Sequence, residues 1–443
     1  MTVTFWAARA LLPGGTVATG VAVECGDDER VGAIRRGVGR PPAGATVLGG
    51  ADGLMLPGLV DAHSHAFHRA LRGRAAGRDF WAWRSAMYDL ARRLDPDALL
   101  ALATAAFGEL LLAGVTTVHE FHYLHRPAGM DDAVCEAARR AGIRLVLLDT
   151  CYLRAGFDGA PLDPVQQRFS DGDVDRWAAR AAAVAAANAD VTVGAAVHSV
   201  RAVDSEAMAA VAAWAHERGV PLHLHLSEQP AENDACRAAT GCTPAQLAAD
   251  RGVLGPTTTA VHCTHVTAGD MRLLGASGTA ACLCPTTERD LADGVGPAAA
   301  LAAAGCPLRV GSDSHAVVDL FEEARAVEMH ERLVTGRRGH HAPAALLAAA
   351  TGGAGLAVGA PADMCALRLD GHRLAGAHPD DPVPMVVAAA TAADVSDVVV
   401  GGRHLVRDGA HTALDVAASL RAAIADLDVP STGSRRGSGG QGP

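Results

Sequence analysis

The sequence predicts an α/β fold, a (β/α)8 barrel carrying a small β-sandwich domain built from both chain ends. Three observations lead there. From residue 54 onward, eight short runs rich in Val, Ile, Leu or Thr alternate with longer alanine-rich stretches of helical composition, the pattern of repeated βα units. Polar residues gather at the C-terminal ends of those runs, where a barrel of this kind carries its chemistry. Residues 1–53 and 361–430 read instead as short strands and turns; ADMCALRLD and VSDVVVGGRHLVRDGAH alternate apolar and polar positions as half-buried strands do.

In order, the eight runs are LMLPGLV at 54–60, VTTVH at 115–119, IRLVLLD at 143–149, VTVGAAV at 191–197, PLHLHLS at 221–227, TTAVH at 258–262, TAACLC at 279–284 and LRVGS at 308–312. At or just past their ends stand His63, Glu120, Asp149, His198, Glu228, His262 and Asp313. The barrel is expected over residues 54–360, and the tail STGSRRGSGGQGP at 431–443, with nothing to bury, is expected to be disordered.

Composition narrows the function classes. At 443 residues the chain has room for one enzyme-sized body and an accessory unit. Its 38 basic and 49 acidic side chains give a net charge of −11, which argues against a nucleic-acid-binding surface or an anionic-membrane anchor. No apolar run reaches the roughly 18 residues of a membrane span. The first residues lack a basic segment followed by an apolar one, and the ten cysteines form no paired framework, so a cytoplasmic protein with reduced thiols is expected. All 38 basic residues are arginine. The absence of lysine excludes a Schiff base, a P-loop lysine and a carbamylated lysine bridging two metals.

The run ends carry metal chemistry. His63 and His65 in DAHSHAFHRA are two residues apart on an extended backbone and project to one side, as two ligands of one ion require. PLHLHLSEQ adds His225 with Glu228 three residues later; His223 shares the parity of His225, so periodicity leaves open which of them ligates. VHCTH supplies His262, with His265 as a further candidate, and GSDSH supplies the carboxylate of Asp313 beside His315. Three imidazoles and a carboxylate suit one divalent ion, with Zn²⁺ the first choice. Cys282 and Cys284 lack a second pair at zinc-binding spacing and read as barrel packing, while His340 and His341 read as a solvated loop. The roles of His119 and His122, which flank Glu120, stay open.

Several phrases, HSHAFHRALRG, FWAWRSAMY, AGVTTVHEFHYLH, VHSVRAV, HLSEQPAENDAC, VHCTH and GSDSH, together resemble the amidohydrolase superfamily in its single-metal deaminase branch. Within that branch they are most similar to the formimidoylglutamate deiminases, over about residues 54–320. The resemblance implies hydrolysis of N-formimino-L-glutamate to N-formyl-L-glutamate and ammonia in histidine degradation, by a homodimer. It implies metal ligands at His63, His65, His225 and Asp313, a proton shuttle at Glu228, and His262 near the attacking water. Substrate contacts fall on Arg84, Tyr123, His198 and Arg201. At one position the chain departs from the family, which has Gln where this sequence has His68.

Elementary chemistry agrees with a dicarboxylate, because guanidinium groups such as Arg84 and Arg201 recognise carboxylates in planar, bidentate fashion. The rival expectation is a related deaminase acting on a nucleobase or other heterocycle. Such a pocket wants aromatic stacking, and the chain is only 4% aromatic, which tilts the reading toward the dicarboxylate. Trp81 and Trp83 are expected to pack a loop and stand outside the site. A metal-binding scaffold without catalysis is disfavoured by Glu228, since a closed structural zinc site has no use for a proton shuttle.

Overall fold

The computed structural model describes residues 2–74 and 80–427; the predicted disordered tail lies outside the described residues. Eight parallel strands form the barrel: Leu59–Ser64, Val115–His122, Arg144–Cys151, Thr192–Ser199, Leu222–Leu226, Thr258–His262, Ala280–Leu283 and Leu308–Val310. Each pairs with the next in chain order. The first and last meet through a parallel bridge between Ser64 and Asp313, which closes the ring. At that seam the Asp313 N–H donates to the His63 carbonyl (2.8 Å) and the His65 N–H to the Asp313 carbonyl (3.0 Å). Closure thus sets three of the four expected metal ligands side by side. Gly311 permits the approach: a Cβ there would lie 2.7 Å from the His63 carbonyl oxygen and 2.8 Å from its nitrogen.

The run at 54–60 is not one strand. Gly53–Pro57 leaves the barrel and joins the antiparallel sheet of the small domain, and only from Leu59 does the chain enter the barrel. The break falls at Gly58, where a Cβ would lie 2.0 Å from the Thr116 hydroxyl. Both halves are apolar and buried, so hydrophobicity alone could not separate two strands serving different sheets. The second, third and fourth strands run two or three residues beyond the predicted ends, because polar residues such as His122 and Thr150 keep extended backbone inside the barrel wall.

The small domain is a nine-stranded sheet made by both chain ends, with Val3–Leu12, Thr16–Cys25 and Val31–Arg35 from the first and Met364–Arg368, Val395–Val400 and Arg403–Arg407 from the second. Gly53–Pro57 joins the halves, parallel to Val3–Leu12 and antiparallel to Met364–Arg368. Phe5 and His404 sit on strands four steps apart, about 19 Å on a flat sheet, yet their ring centroids are 6.1 Å apart. The sheet therefore folds over on itself as a sandwich, around a core that includes Phe5, Val21, Val23, Met55, Met364 and Val399.

Barrel helices start and stop where the sequence provides caps. Asp95, Asp173, Asp204 and Asp319 each accept backbone N–H groups at a helix N-terminus, and Gly142, Gly219, Gly241, Gly278 and Gly336 take left-handed backbone at helix ends. Among the described residues, no helix is long and apolar enough to cross a membrane. All ten cysteines are free, and all but Cys242 are buried.

Candidate metal centre and active site

Four donor groups converge at the C-terminal mouth of the barrel. His63 Nε2 lies 3.1 Å from His225 Nε2 and 3.4 Å from Asp313 Oδ1, and His65 Nε2 lies 3.4 Å from the same carboxylate oxygen. Their protonation follows from their partners. His65 Nδ1 donates to the Phe121 carbonyl and His225 Nδ1 to the His198 carbonyl, each at 2.9 Å, and a carbonyl can only accept. Both protons are therefore on Nδ1, leaving the Nε2 lone pairs directed inward. His63 Nε2 faces the His225 Nε2 lone pair at 3.1 Å, and with its proton on Nδ1 it would offer a third lone pair to a shared cation. The contacts of 3.1–3.4 Å among these donors match the spacing of ligands bonded at about 2 Å to one ion, as Zn²⁺ bonds imidazole and carboxylate. The residues fit a divalent ion.

The donor cluster is braced from behind. Phe121, in the second strand, packs its ring against His63, His65 and His225 with centroids at 5.2, 5.4 and 4.3 Å. Asp61 accepts from the Ser312 hydroxyl and N–H, and Glu120 accepts from the Ser64 hydroxyl (2.7 Å) and the Ala66 N–H (2.8 Å). His315 Nε2 lies 2.9 Å from the Ser64 hydroxyl. The backbone is strained where chemistry is expected: φ is +69° at His262 and +45° at Asp313, left-handed values that are unfavourable away from glycine.

Around the donors the charged groups are divided by role. Burial would raise the Asp313 carboxyl, but the imidazoles of His63 and His262 hold it at about 2. Burial would lower His262; the carboxylates of Glu228, Glu288 and Asp313 outweigh it and hold the ring well above the ordinary histidine value. His262 Nε2 is 3.7 Å from Glu228, and its Nδ1 is 3.6 Å from Glu288. Burial raises Glu228, with the charges of Asp313 and Glu288 adding to the rise and His262 opposing it. A buried acid whose pKa is raised, beside an imidazole held well above its ordinary value and an aspartate held low, is equipped for proton transfer.

A cavity of about 280 Å³ opens above the donors. His65, His68, His225, Glu228, His262 and Asp313 line its base, and Arg84, Tyr123, His198 and Arg201 stand in its wall. Every substrate position carried over from the resemblance therefore borders one space, together with most of the expected ligands. Burial holds the His68 ring neutral, pushed down to about 3, and its Nε2 is 2.8 Å from the Tyr123 hydroxyl while Nδ1 has no protein partner. Among the described residues neither Arg84 nor Arg201 forms an ion pair with a carboxylate. Glu232 faces Arg201 across the wall, but burial pushes its carboxyl up to about 7 even against the pull of that guanidinium.

Three expectations are corrected. Trp81 and Trp83 line the cavity, and Arg84 lies over the Trp81 ring at 5.6 Å. The argument from low aromatic content fails as well: Trp81, Trp83, Tyr88, Tyr123, Tyr152 and Phe169 all border the cavity, including all three tyrosines of the chain. Composition averages over the chain and hides such concentration. Asp149, which stands at a strand end, points away from the mouth into an ion network with Arg180 and Trp177. The open histidines divide by strand parity: His119 faces inward, 3.4 Å from His223, while His122 lies 3.5 Å from Asp131. The sequence reading missed Phe121, Tyr88, Tyr152, Glu232 and Glu288. For Phe121 a signal existed, since it shares strand parity with His119 and Tyr123.

Comparison with known proteins agrees with this geometry. The amidohydrolase family model matches residues 54–405. The chain is 36% identical to a formimidoylglutamate deiminase of Pseudomonas aeruginosa over 92% of this chain and 95% of that one. It is 33% identical to an 8-oxoguanine deaminase of the same organism over 87% and 89% of the two chains. Among solved structures, an amidohydrolase from Brucella melitensis superposes with a TM-score of 0.87 at 29% identity, covering 96% of this chain and 99% of that one. An adenosine deaminase from Xanthomonas campestris with bound zinc superposes with a TM-score of 0.84 at 23% identity, over 96% and 98% of the chains, a likeness of fold. With the whole barrel and the strands Met364–Arg368 and Val395–Val400 of the small domain inside the family match, the chain belongs to the amidohydrolase family.

Proposed function

We propose that the enzyme hydrolyses N-formimino-L-glutamate to N-formyl-L-glutamate and ammonia. The observation that carries this reading is the pair of guanidiniums, Arg84 and Arg201, bordering the same cavity as the donor set, neither in an ion pair with a carboxylate among the described residues, with the carboxyl of Glu232, which faces Arg201, pushed up to about 7. Two such charges in one wall call for a ligand with two carboxylates, and formiminoglutamate brings both together with a hydrolysable amidine. The 36% identical relative named for this reaction supports the same substrate. Aromatic walls favour a second reading, deamination of a heterocycle, as does the 8-oxoguanine deaminase relative. A neutral ring brings no carboxylate to either arginine, so the dicarboxylate is preferred.

One divalent ion, Zn²⁺ by donor chemistry, would be held by His63, His65, His225 and Asp313; bound there, such an ion supplies a water activated for attack at neutral pH. Arg84 and Arg201 seat the carboxylates, with Tyr123 and His198 completing the wall, so that the formimino carbon is presented to the base of the cavity. Asp313, ionised, takes a proton from the attacking water. His262, cationic, stabilises negative charge as the carbon becomes tetrahedral. Glu228 delivers one proton to the departing nitrogen and Asp313 returns to it the proton taken from water, so that ammonia leaves, and the hydroxyl proton of the adduct restores Glu228 as the formyl C=O forms. His68, neutral and tied to Tyr123, offers its free Nδ1 to the substrate where the family carries an amide. A cytoplasmic, homodimeric enzyme of histidine breakdown completes the reading, on the strength of the resemblance.

Ammonia release from formiminoglutamate and from guanine, each with and without chelator, tests it. Chelator-sensitive release from the formimino compound alone is expected; release from guanine alone would replace this reading with the second.

A further inference from the structure

Between the two arginines lies a residue to which neither the sequence reading nor the proposed mechanism gives a role. Gln166 follows the third barrel strand and is 3% exposed. Its side-chain amide can be oriented without ambiguity. Oε1 is 2.9 Å from the backbone nitrogen of Asp163, which can only donate, so the carbonyl end must face Asp163. The NH₂ end therefore faces the cavity side, where Nε2 lies 3.0 Å from the Tyr152 hydroxyl and 3.3 Å from the Tyr88 hydroxyl. Gln166 spends its donors on both phenols.

This fixes what the phenols do. Tyr88 Oη accepts from Gln166 and also from Arg84, through Nε at 3.1 Å and Nη2 at 2.6 Å. Tyr152 Oη accepts from Gln166 and stands beside Arg201. With the oxygens occupied as acceptors, each phenol proton is left to be donated, and both side chains border the cavity. Oxygen-bound protons beside guanidiniums suit the oxygens of a carboxylate. The amide also ties the Arg84 side of the cavity to the Arg201 side, so it sets the span between two cationic anchors.

We propose that Gln166 is a positioning residue that fixes Tyr88 and Tyr152 as hydroxyl donors to the carboxylates of a dianionic ligand and holds Arg84 and Arg201 at the separation that ligand requires. The inference rests on the dicarboxylate reading above and adds to it three residues and a basis for chain-length selectivity.

Gln166→Glu tests it with little change of size, replacing the donor end by an acceptor that turns both phenol protons away from the cavity. The expected result is a rise of about ten-fold or more in KM for formiminoglutamate, larger than any fall in kcat, with metal content unchanged. The dissociation constant of N-formyl-L-glutamate, read by calorimetry, should rise by a similar factor. Should that variant fold poorly, Tyr88→Phe and Tyr152→Phe keep the rings and remove the donors, and each should raise KM. In a Tyr88→Phe/Tyr152→Phe background, adding Gln166→Glu should raise KM by less than about three-fold, since its targets are gone. Full additivity, or a KM within two-fold of the parent in all these variants, would overturn the proposal. Parent enzyme that binds N-formyl-L-glutamate in a Gln166-dependent way without hydrolysing the formimino compound would overturn the reaction and uphold the seat.

Discussion

Glu228 and Asp313 are two carboxyls in one site with opposite tendencies, the first raised and the second held at about 2, and their assignments follow from that contrast. Glu228→Gln keeps the shape and removes the proton to be moved. It should retain metal stoichiometry, measured by elemental analysis, while kcat falls about 10²-fold or more. Near-normal turnover in that variant would take the shuttle role from Glu228. Arg201→Met should act on the other side of the reaction, raising KM steeply with metal retained; an unchanged kcat/KM would show that no carboxylate sits there. At this scale much was legible. His63, His65, His225 and Asp313 stood at strand ends with the right parity; the structure groups the donor atoms of His63, His65 and His225 and sets Asp313 against the first two. Tyr88 and Gln166 were not legible, because they come from a helix and an irregular connection whose path over the barrel mouth has no periodic signature, whereas Tyr152, directly past the third strand, stood where the pattern could have found it.

Elements explain why the polar strand ends divide between chemistry and support. Behind the second and third strands, His125 donates from Nδ1 to Asp131 and from Nε2 to the Thr150 carbonyl, both at 2.9 Å, which requires the doubly protonated ring. Arg180 joins Asp131, Asp149 and Asp171 in the same network. Burial would lower the His125 pKa, but Asp131 overcomes it and the value is raised. Since the folded chain binds that proton more tightly than the unfolded one, the stabilisation is complete below about pH 6.5 and is lost as pH climbs through the folded value. The melting temperature should therefore decline as the pH climbs above about 6.5, and His125→Gln should flatten the decline while lowering stability at pH 6. Equal pH profiles for the two proteins would contradict this. Strand order was readable from eight apolar runs, whereas the division of residues 53–64 between two sheets was not. Only the clash that any side chain at Gly58 would make with Thr116 marks the boundary.

For the whole molecule, the closing seam of the barrel and the donor cluster are one structure. Gly311 lets the last strand approach the His63 backbone, and Asp313, two residues on, bridges to Ser64. Gly311→Ala should lower both metal content and melting temperature, whereas a substitution at exposed Leu333 should alter neither. Normal zinc content in Gly311→Ala would separate closure from metal binding. The central claim, water attack on a formimino carbon held between arginines, is tested most directly by turnover in H₂¹⁸O with metal stoichiometry measured on the same sample. The account predicts one ion per chain, one ammonia per turnover, and N-formyl-L-glutamate carrying one ¹⁸O in its formyl group. Glutamate and formamide as products, two ions per chain, or turnover of a nucleobase with none of the formimino compound would contradict it.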